Sequence, residues 1–314
     1  MVFYLNVLKA PTMSDTPPIV LTFAASDPTG GNGVQADIMT IASMGGHPLS
    51  VITAITIQDT LGVEAVHKLD AEWIADQART LLEDMPVAAF KIGMVGSVEG
   101  VAAIAEIVAD YPDIPLIIDP CLASRRGDQL AEDDVIDALN EMLLPQATLV
   151  TVNLLEARRL LRDQIDDADE DEDEEDPEEL SVDDLASGIL AMGAEYVLIT
   201  GTMDPTTEVI NRLYQDQEGK VLETAWQRLP HSYHGASATL SAGIATGLAN
   251  GLMMREAVLD AQDYTWQALD EAYRLGMGSY LPDRLYWAMQ DAVEEGEAED
   301  VDDEDNGDAP IVLQ

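Results

Sequence analysis

Only one cysteine, Cys121, occurs in the 314 residues of this chain. An intrachain disulfide is thereby excluded, as is a cysteine-rich zinc site, and a lone thiol beside a strand end reads most simply as a small side chain. Bases are scarce too: 15 Lys and Arg stand against 60 Asp and Glu, a formal net charge of −45. A surface this acidic repels nucleic acid and anionic lipid, so neither is expected as a partner. No apolar run approaches the ~20 residues that a membrane helix needs. The short apolar stretch at residues 2–8 has Lys9 behind it rather than ahead of it, the wrong polarity for a secretory leader. A cytoplasmic protein is expected.

The acids are unevenly spread. Residues 163–184 carry 15 of them and residues 291–308 carry 11, with no Lys or Arg in either run. Segments of this composition cannot bury enough apolar surface to offset their ordering entropy, and both read as solvated, disordered stretches. The remainder is still acidic, which fits adaptation to a salty interior where counter-ions screen self-repulsion. Neither run is expected to hold a metal or to take part in catalysis.

With 47% apolar residues, the chain has enough material for one large core. Residues 1–13 read as a lead outside the fold, because the first strand pattern begins at Ile19 and a second Met stands at position 13. Residues 14–290 then form a single domain carrying the acidic insertion 163–184, and residues 291–314 an acidic tail. Strand patterns at residues 19–25, 51–57, 116–119, 148–152 and 196–200 alternate with helical spacing at 33–44, 98–108, 135–144, 153–161 and 185–192. This alternation predicts an α/β fold in three layers, a mostly parallel sheet with helices on both faces. Residues 208–214 and 221–226 flank Gln217, Glu218 and Gly219 and predict an antiparallel edge hairpin. Helices at 236–248 and 257–273 close the domain.

In such a sheet, ligands gather beyond the carboxyl ends of the strands. There the sequence places Asp27 in the turn Ser26-Asp27-Pro28-Thr29-Gly30-Gly31-Asn32-Gly33, Gln58 and Asp59 after the second strand, Asp119 after another, and Asn153 with Glu156 at a helix start. Each also has an ordinary structural use as a turn former or helix cap. A second turn of small residues, Gly235 to Thr239, runs into a helix and can present free backbone N–H groups and the positive helix end to an anion. Phosphoryl transfer fits this set: an anion cradle, acids able to organise a metal, and polar groups for the acceptor. Neither turn matches the lysine-bearing phosphate loop.

The run Ala24-Ala25-Ser26-Asp27-Pro28-Thr29-Gly30-Gly31-Asn32-Gly33-Val34-Gln35-Ala36-Asp37 resembles the opening of the hydroxymethylpyrimidine/phosphomethylpyrimidine kinases, thiamine-pathway members of the ribokinase-like fold. Segments 50–60, 91–94, 117–120, 143–146, 153–157 and 239–242 follow in that family's order, so the likeness covers roughly residues 19–275. The resemblance implies a ribokinase-like fold with ATP and Mg2+ as cofactors, and a pyrimidine held by Asp37, Gln58, Met94, the backbone at Ala25, and Cys121. It further implies nucleotide contacts from Asn153, Glu156, Thr200, His234 and Thr239, metal contacts from Asp119 and Glu156, and catalysis at Gly235, Ser237 and the position of Ala238. A homodimer is a further expectation, since ribokinase-like relatives often pair.

Two departures stand out. The family's turn reads His-Gly-Thr-Gly-Cys-Thr, with the Cys near the substrate hydroxyl; here it reads His234-Gly235-Ala236-Ser237-Ala238-Thr239. Ala238 neither takes nor gives a proton. Where the family usually carries a Lys after a late strand, this chain has Thr200-Gly201. These changes leave open a slowed kinase, a non-catalytic pyrimidine- or nucleotide-binding regulator, and a kinase of another vitamin-type alcohol such as pyridoxal.

Overall fold

The computed structural model describes residues 16–123, 130–162, 180–203 and 206–288. The expected N-terminal lead, the acidic tail and all of the acidic insertion except residues 180–184 lie outside this range. Nine described strands form one sheet: β1 (Ile19–Ser26), β2 (His47–Gln58), β3 (Val63–Lys68), β4 (Val87–Ile92), β5 (Leu116–Ile118), β6 (Leu149–Asn153), β7 (Tyr196–Thr200), β8 (Glu208–Gln215) and β9 (Gly219–Gln227). Their spatial order is β3-β2-β1-β4-β5-β6-β7-β8-β9. Strands β1, β2 and β4 to β7 run parallel, whereas β3 at one edge and β8 and β9 at the other are antiparallel.

The helices are α1 (Gly33–Ser43), α2 (Ala71–Asp84), α3 (Val98–Ala109), α4 (Asp133–Ala138), α5 (Leu154–Leu160), α6 (Val182–Ala191), α7 (Ala236–Ala249) and α8 (Met254–Asp270). Residues on alternate sides of each strand divide the core in two. Leu21, Phe23, Phe90 and Ile118 point to the side covered by Ile74 of α2, Ile104 of α3, Val135 of α4 and Ile189 of α6. Val20, Ala89, Ile117 and Leu198 point to the side covered by Ile41 of α1, Ile244 of α7 and Val258 of α8. The period-2 alternation of the strands thus produces the three layers directly. No helix among the described residues is long and apolar enough to cross a membrane.

Several boundaries differ from the sequence pattern. β3, α2 and β4 were not legible as elements, and the single helix expected at 135–144 is α4 followed by a π turn and a 3-10 turn over Leu139–Gln146. The edge hairpin forms as expected, with Gln217 and Gly219 both at positive φ in its turn.

One interaction inside the fold gives Asp37, expected at the pyrimidine, a structural partner. Asp37, on α1, is completely buried and binds Lys91 of β4 through both carboxylate oxygens at 3.0 and 3.1 Å, while Thr22 of β1 donates a short hydrogen bond to it. With its oxygens so engaged, Asp37 lies beneath the cavity described below and is absent from its lining. It holds α1 against the sheet and fixes Lys91. Removing one member of a buried ion pair strands the other charge and costs ~3–5 kcal/mol. Asp37→Ala is expected to lose stability on that scale in urea unfolding, and the Asp37→Leu/Lys91→Met pair to lose less than the single change. A single variant within ~1 kcal/mol of the parent would contradict the buried pair.

Candidate active site

The sheet order reverses at β1: the chain moves outward to β2 and β3, then returns to place β4 on the other side. The carboxyl ends of β1 and β4 to β7 line up along one rim, and a cavity of about 630 Å³ opens there. That volume accommodates a small substrate beside a nucleotide phosphate chain.

Two glycines shape this rim. Gly33, at φ +61°, starts α1, and a side chain there would come within 2.1 Å of the Ala25 carbonyl oxygen. Gly235, at φ +90°, precedes α7, and a side chain there would meet the Gly31 carbonyl oxygen at 1.7 Å. The two turns, two hundred residues apart in the chain, are thereby in backbone contact, which only glycine permits at these positions. Asp27 organises the first turn. Its carboxylate accepts hydrogen bonds from the backbone N–H groups of Thr29 and Asn32 at 2.8 Å each and from the Thr29 hydroxyl, and it pairs with Nε2 of His234 at 2.8 Å. Burial works to raise its pKa, but the bonds to His234 and Thr29 outweigh this and hold it below the ordinary carboxylate value. His234, expected as a nucleotide contact, lines the cavity while tying the second turn to the first.

At the centre stand Lys91, Asp119, Cys121 and Glu156, all lining the cavity. Asp119 accepts from the hydroxyls of Ser237 at 3.0 Å and Ser241 at 3.2 Å. Its pKa is raised, first by burial, against the opposing pull of Lys91 and the Ser237 bond. Glu156 forms a capping box with Asn153 and also accepts from the Leu122 backbone. Burial, reinforced by the charge on Asp119, pushes it up to about 7. Burial likewise raises the Cys121 thiol, with Asp119 and Glu156 adding to it, so this cysteine stays protonated. Lys91 loses by burial and gains more from Asp37 and Asp119, so its ammonium is kept charged.

Of the residues expected in the site, Ala25, Gln58, Met94, Cys121, Asp119, Asn153, Glu156, Thr200, His234, Gly235 and Ser237 line the cavity. Asp37, Ala238 and Thr239 do not. Ala238 is buried in the first turn of α7. Thr239 is fully buried behind the turn, where its hydroxyl donates to the Gly235 carbonyl at 2.9 Å. Sequence reasoning missed Lys91 as a site group. It also missed Arg228, which follows β9: its guanidinium lines the cavity and donates to the carbonyls of Gly201, Thr202 and Thr206. A cation is thus present in space beside Thr200 although none follows it in sequence. Lys91 had a signal, a base inside an otherwise apolar strand; Arg228 had none.

The phosphomethylpyrimidine kinase family profile matches residues 27–283. A hydroxymethylpyrimidine/phosphomethylpyrimidine kinase of Streptomyces coelicolor is 34% identical over 286 residues, which span 90% of this chain and 99% of the relative. Among solved structures, phosphomethylpyrimidine kinase from Clostridium difficile superimposes with a TM-score of 0.65 at 32% identity, covering 80% of this chain and 99% of its own. An ADP complex of Bacillus subtilis pyridoxal kinase superimposes with a TM-score of 0.73 at 28% identity, covering 86% and 98%. The match runs through both glycine turns and the acids between them, and the chain belongs to the phosphomethylpyrimidine kinase family, with its ribokinase-like α/β fold.

Proposed function

We propose that this protein transfers the γ-phosphoryl group of ATP to the hydroxymethyl oxygen of 4-amino-5-hydroxymethyl-2-methylpyrimidine, and then a second phosphoryl group to the resulting monophosphate, within thiamine biosynthesis. The carrying observation is that one cavity joins the glycine turn after β1 to the N-terminus of α7. Gln58, Met94 and the Ala25 backbone line its β1–β2 side, where an amide can pair with ring nitrogen and exocyclic amine. Thr200, Asn153 and Arg228 line its β6–β9 side and suit a nucleotide.

The free N–H groups at the start of α7 and its helix dipole favour the phosphates. Transferred charge that builds up there meets the ammonium of Lys91 from below, a fixed group that needs no rearrangement during reaction. Asp119 and Glu156 fit a magnesium ion: Mg2+ commonly takes one or two carboxylates and leaves its other positions to phosphates and water. Burial is the first cause of the upward shift of both acids, and a bound cation would favour their charged forms. When bound, magnesium supplies charge neutralisation on the phosphates.

Ser237 is held on Asp119 and Ala238 offers no proton acceptor, so the proton of the acceptor hydroxyl passes, late in the transfer, to a phosphate oxygen or to solvent water. The transition state of phosphoryl transfer is loose, and base catalysis contributes ~10² to 10⁴ in rate, so transfer proceeds but slowly.

Purified protein with ATP and magnesium is expected to phosphorylate the hydroxymethylpyrimidine and its monophosphate, assayed in dilute buffer and in molar potassium chloride, with pyridoxal turned over more slowly. Binding of the pyrimidine without any product would make the protein a regulator instead, and faster turnover of pyridoxal would reassign the substrate. The Ser237→Gly/Ala238→Cys variant is expected to raise kcat by about 10-fold or more. An unchanged kcat would show that the altered turn does not limit the chemistry.

A further inference from the structure

Arg284 lies after α8, outside the cavity lining, and is 1% exposed, the bulkiest of the fully buried side chains among the described residues. Its guanidinium makes no ion pair among the described residues. Instead Nη2 donates to the carbonyl oxygens of Gly31 at 2.6 Å and Gly235 at 3.4 Å, Nη1 to that of Gly30 at 3.3 Å, and Nε to the Thr239 hydroxyl at 3.0 Å. Thr239 in turn donates to the Gly235 carbonyl, closing the network. The arginine is itself anchored from both sides: Tyr264 of α8 donates to its carbonyl at 2.7 Å, and the backbone N–H of Asp283 donates to the Ala268 carbonyl at 2.8 Å.

A charge buried among dipoles alone is expensive, and an apolar side chain of similar volume would cost the fold less. The carbonyls it binds belong to the two glycine turns and to no other part of the chain. Each is a turn whose backbone must sit at a set distance from the other for a phosphate and an alcohol to meet in line. The planar fork of a guanidinium can span several carbonyls at once, which an ammonium cannot.

We infer that Arg284 is a positioning residue for phosphoryl transfer: it clamps the substrate-side turn Gly30–Gly31 to the phosphate-side turn at Gly235 and Thr239, and sets a fixed positive charge behind the anion cradle. This rests on the kinase reading given above. It makes the segment after α8 part of the catalytic apparatus although none of its guanidinium atoms reaches the cavity. A clamp of this kind acts on the reacting geometry more than on the affinity for either ligand held separately. Misplacement of reacting groups by ~1 Å costs about 100-fold in rate.

The test compares the parent with Arg284→Lys and Arg284→Gln in the full chain, each first checked for folding by near-ultraviolet circular dichroism and thermal melting, in molar potassium chloride, which screens the self-repulsion of the acidic surface. Expected is a drop in kcat of about 100-fold for Arg284→Gln and about 10-fold or more for Arg284→Lys, with KM for ATP and for the pyrimidine within ~3-fold of the parent. Calorimetric affinities for the pyrimidine and for a non-hydrolysable ATP analogue, each alone, are expected to stay within the same range. Folded variants with kcat within 2-fold of the parent would overturn the clamp, as would losses that appear in KM alone or that track the melted fraction. A parent that binds both ligands and transfers nothing would overturn the kinase reading itself, and the role for Arg284 with it.

Discussion

A single buried ammonium, that of Lys91, ties the fold to its chemistry. From near the carboxyl end of β4 it grips Asp37 of α1 with two hydrogen bonds, and its charge acts on Asp119 at the neighbouring strand end. The seam between helix and sheet and the floor of the cavity therefore share one charge network. Losing Lys91 would strand one acid in the core and leave another at the reaction centre without its nearest cation. Few groups in a protein this acidic can serve in that way. Of the 15 Lys and Arg residues, Lys91 and Arg284 are each 1% exposed, and both are spent at the same site, one below the cavity and one behind it. Positive charge is scarce in the sequence, and these two buried bases stand where a phosphate would need it.

The acidic surface and the buried cations answer different demands. Exposed carboxylates repel one another and are screened by salt within a Debye length, about 3 Å at molar ionic strength. Buried pairs are screened far less, so the site keeps its field in brine while the surface loses most of its repulsion. A family member with this composition can retain ordinary interior electrostatics and change only its exterior.

The parallel body of the fold was legible because its strands are short β-branched runs separated by helical spacing. β3 was not, because four of its six residues are exposed, its pattern is polar, and it exists only by pairing with β2 at the edge. β4 was hidden by Lys91, a charged residue in a strand that reads otherwise as buried. That same lysine is the partner of Asp37 that the sequence does not show. A carboxylate four residues into a helix that opens on a glycine turn looks like a ligand for a substrate; its partner lies 54 residues away, and only the packed sheet brings the two together. The burial of Thr239 and Ala238 was hidden for a related reason. The sequence shows a turn meeting a helix, but which residues of the first helical turn face the cavity depends on how α7 sits on β4 and β5. Gln58, Met94, Asn153 and Glu156 follow strand ends directly, and strand ends point one way; those positions were readable. Arg228 and Arg284 bind mainly backbone carbonyls among the contacts described above, and such contacts leave no trace in a sequence pattern.

The two glycine turns meeting at one cavity are the centre of this picture, and a crystal structure of the protein with a non-hydrolysable ATP analogue and the hydroxymethylpyrimidine bound together tests it most directly. The terminal phosphate is predicted to lie on the backbone N–H groups that follow Gly235, with the hydroxymethyl oxygen facing it and the pyrimidine ring against Gln58 and Met94. A nucleotide whose phosphates lie away from the Gly235 turn, or a pyrimidine bound outside the cavity between the turns, would contradict it.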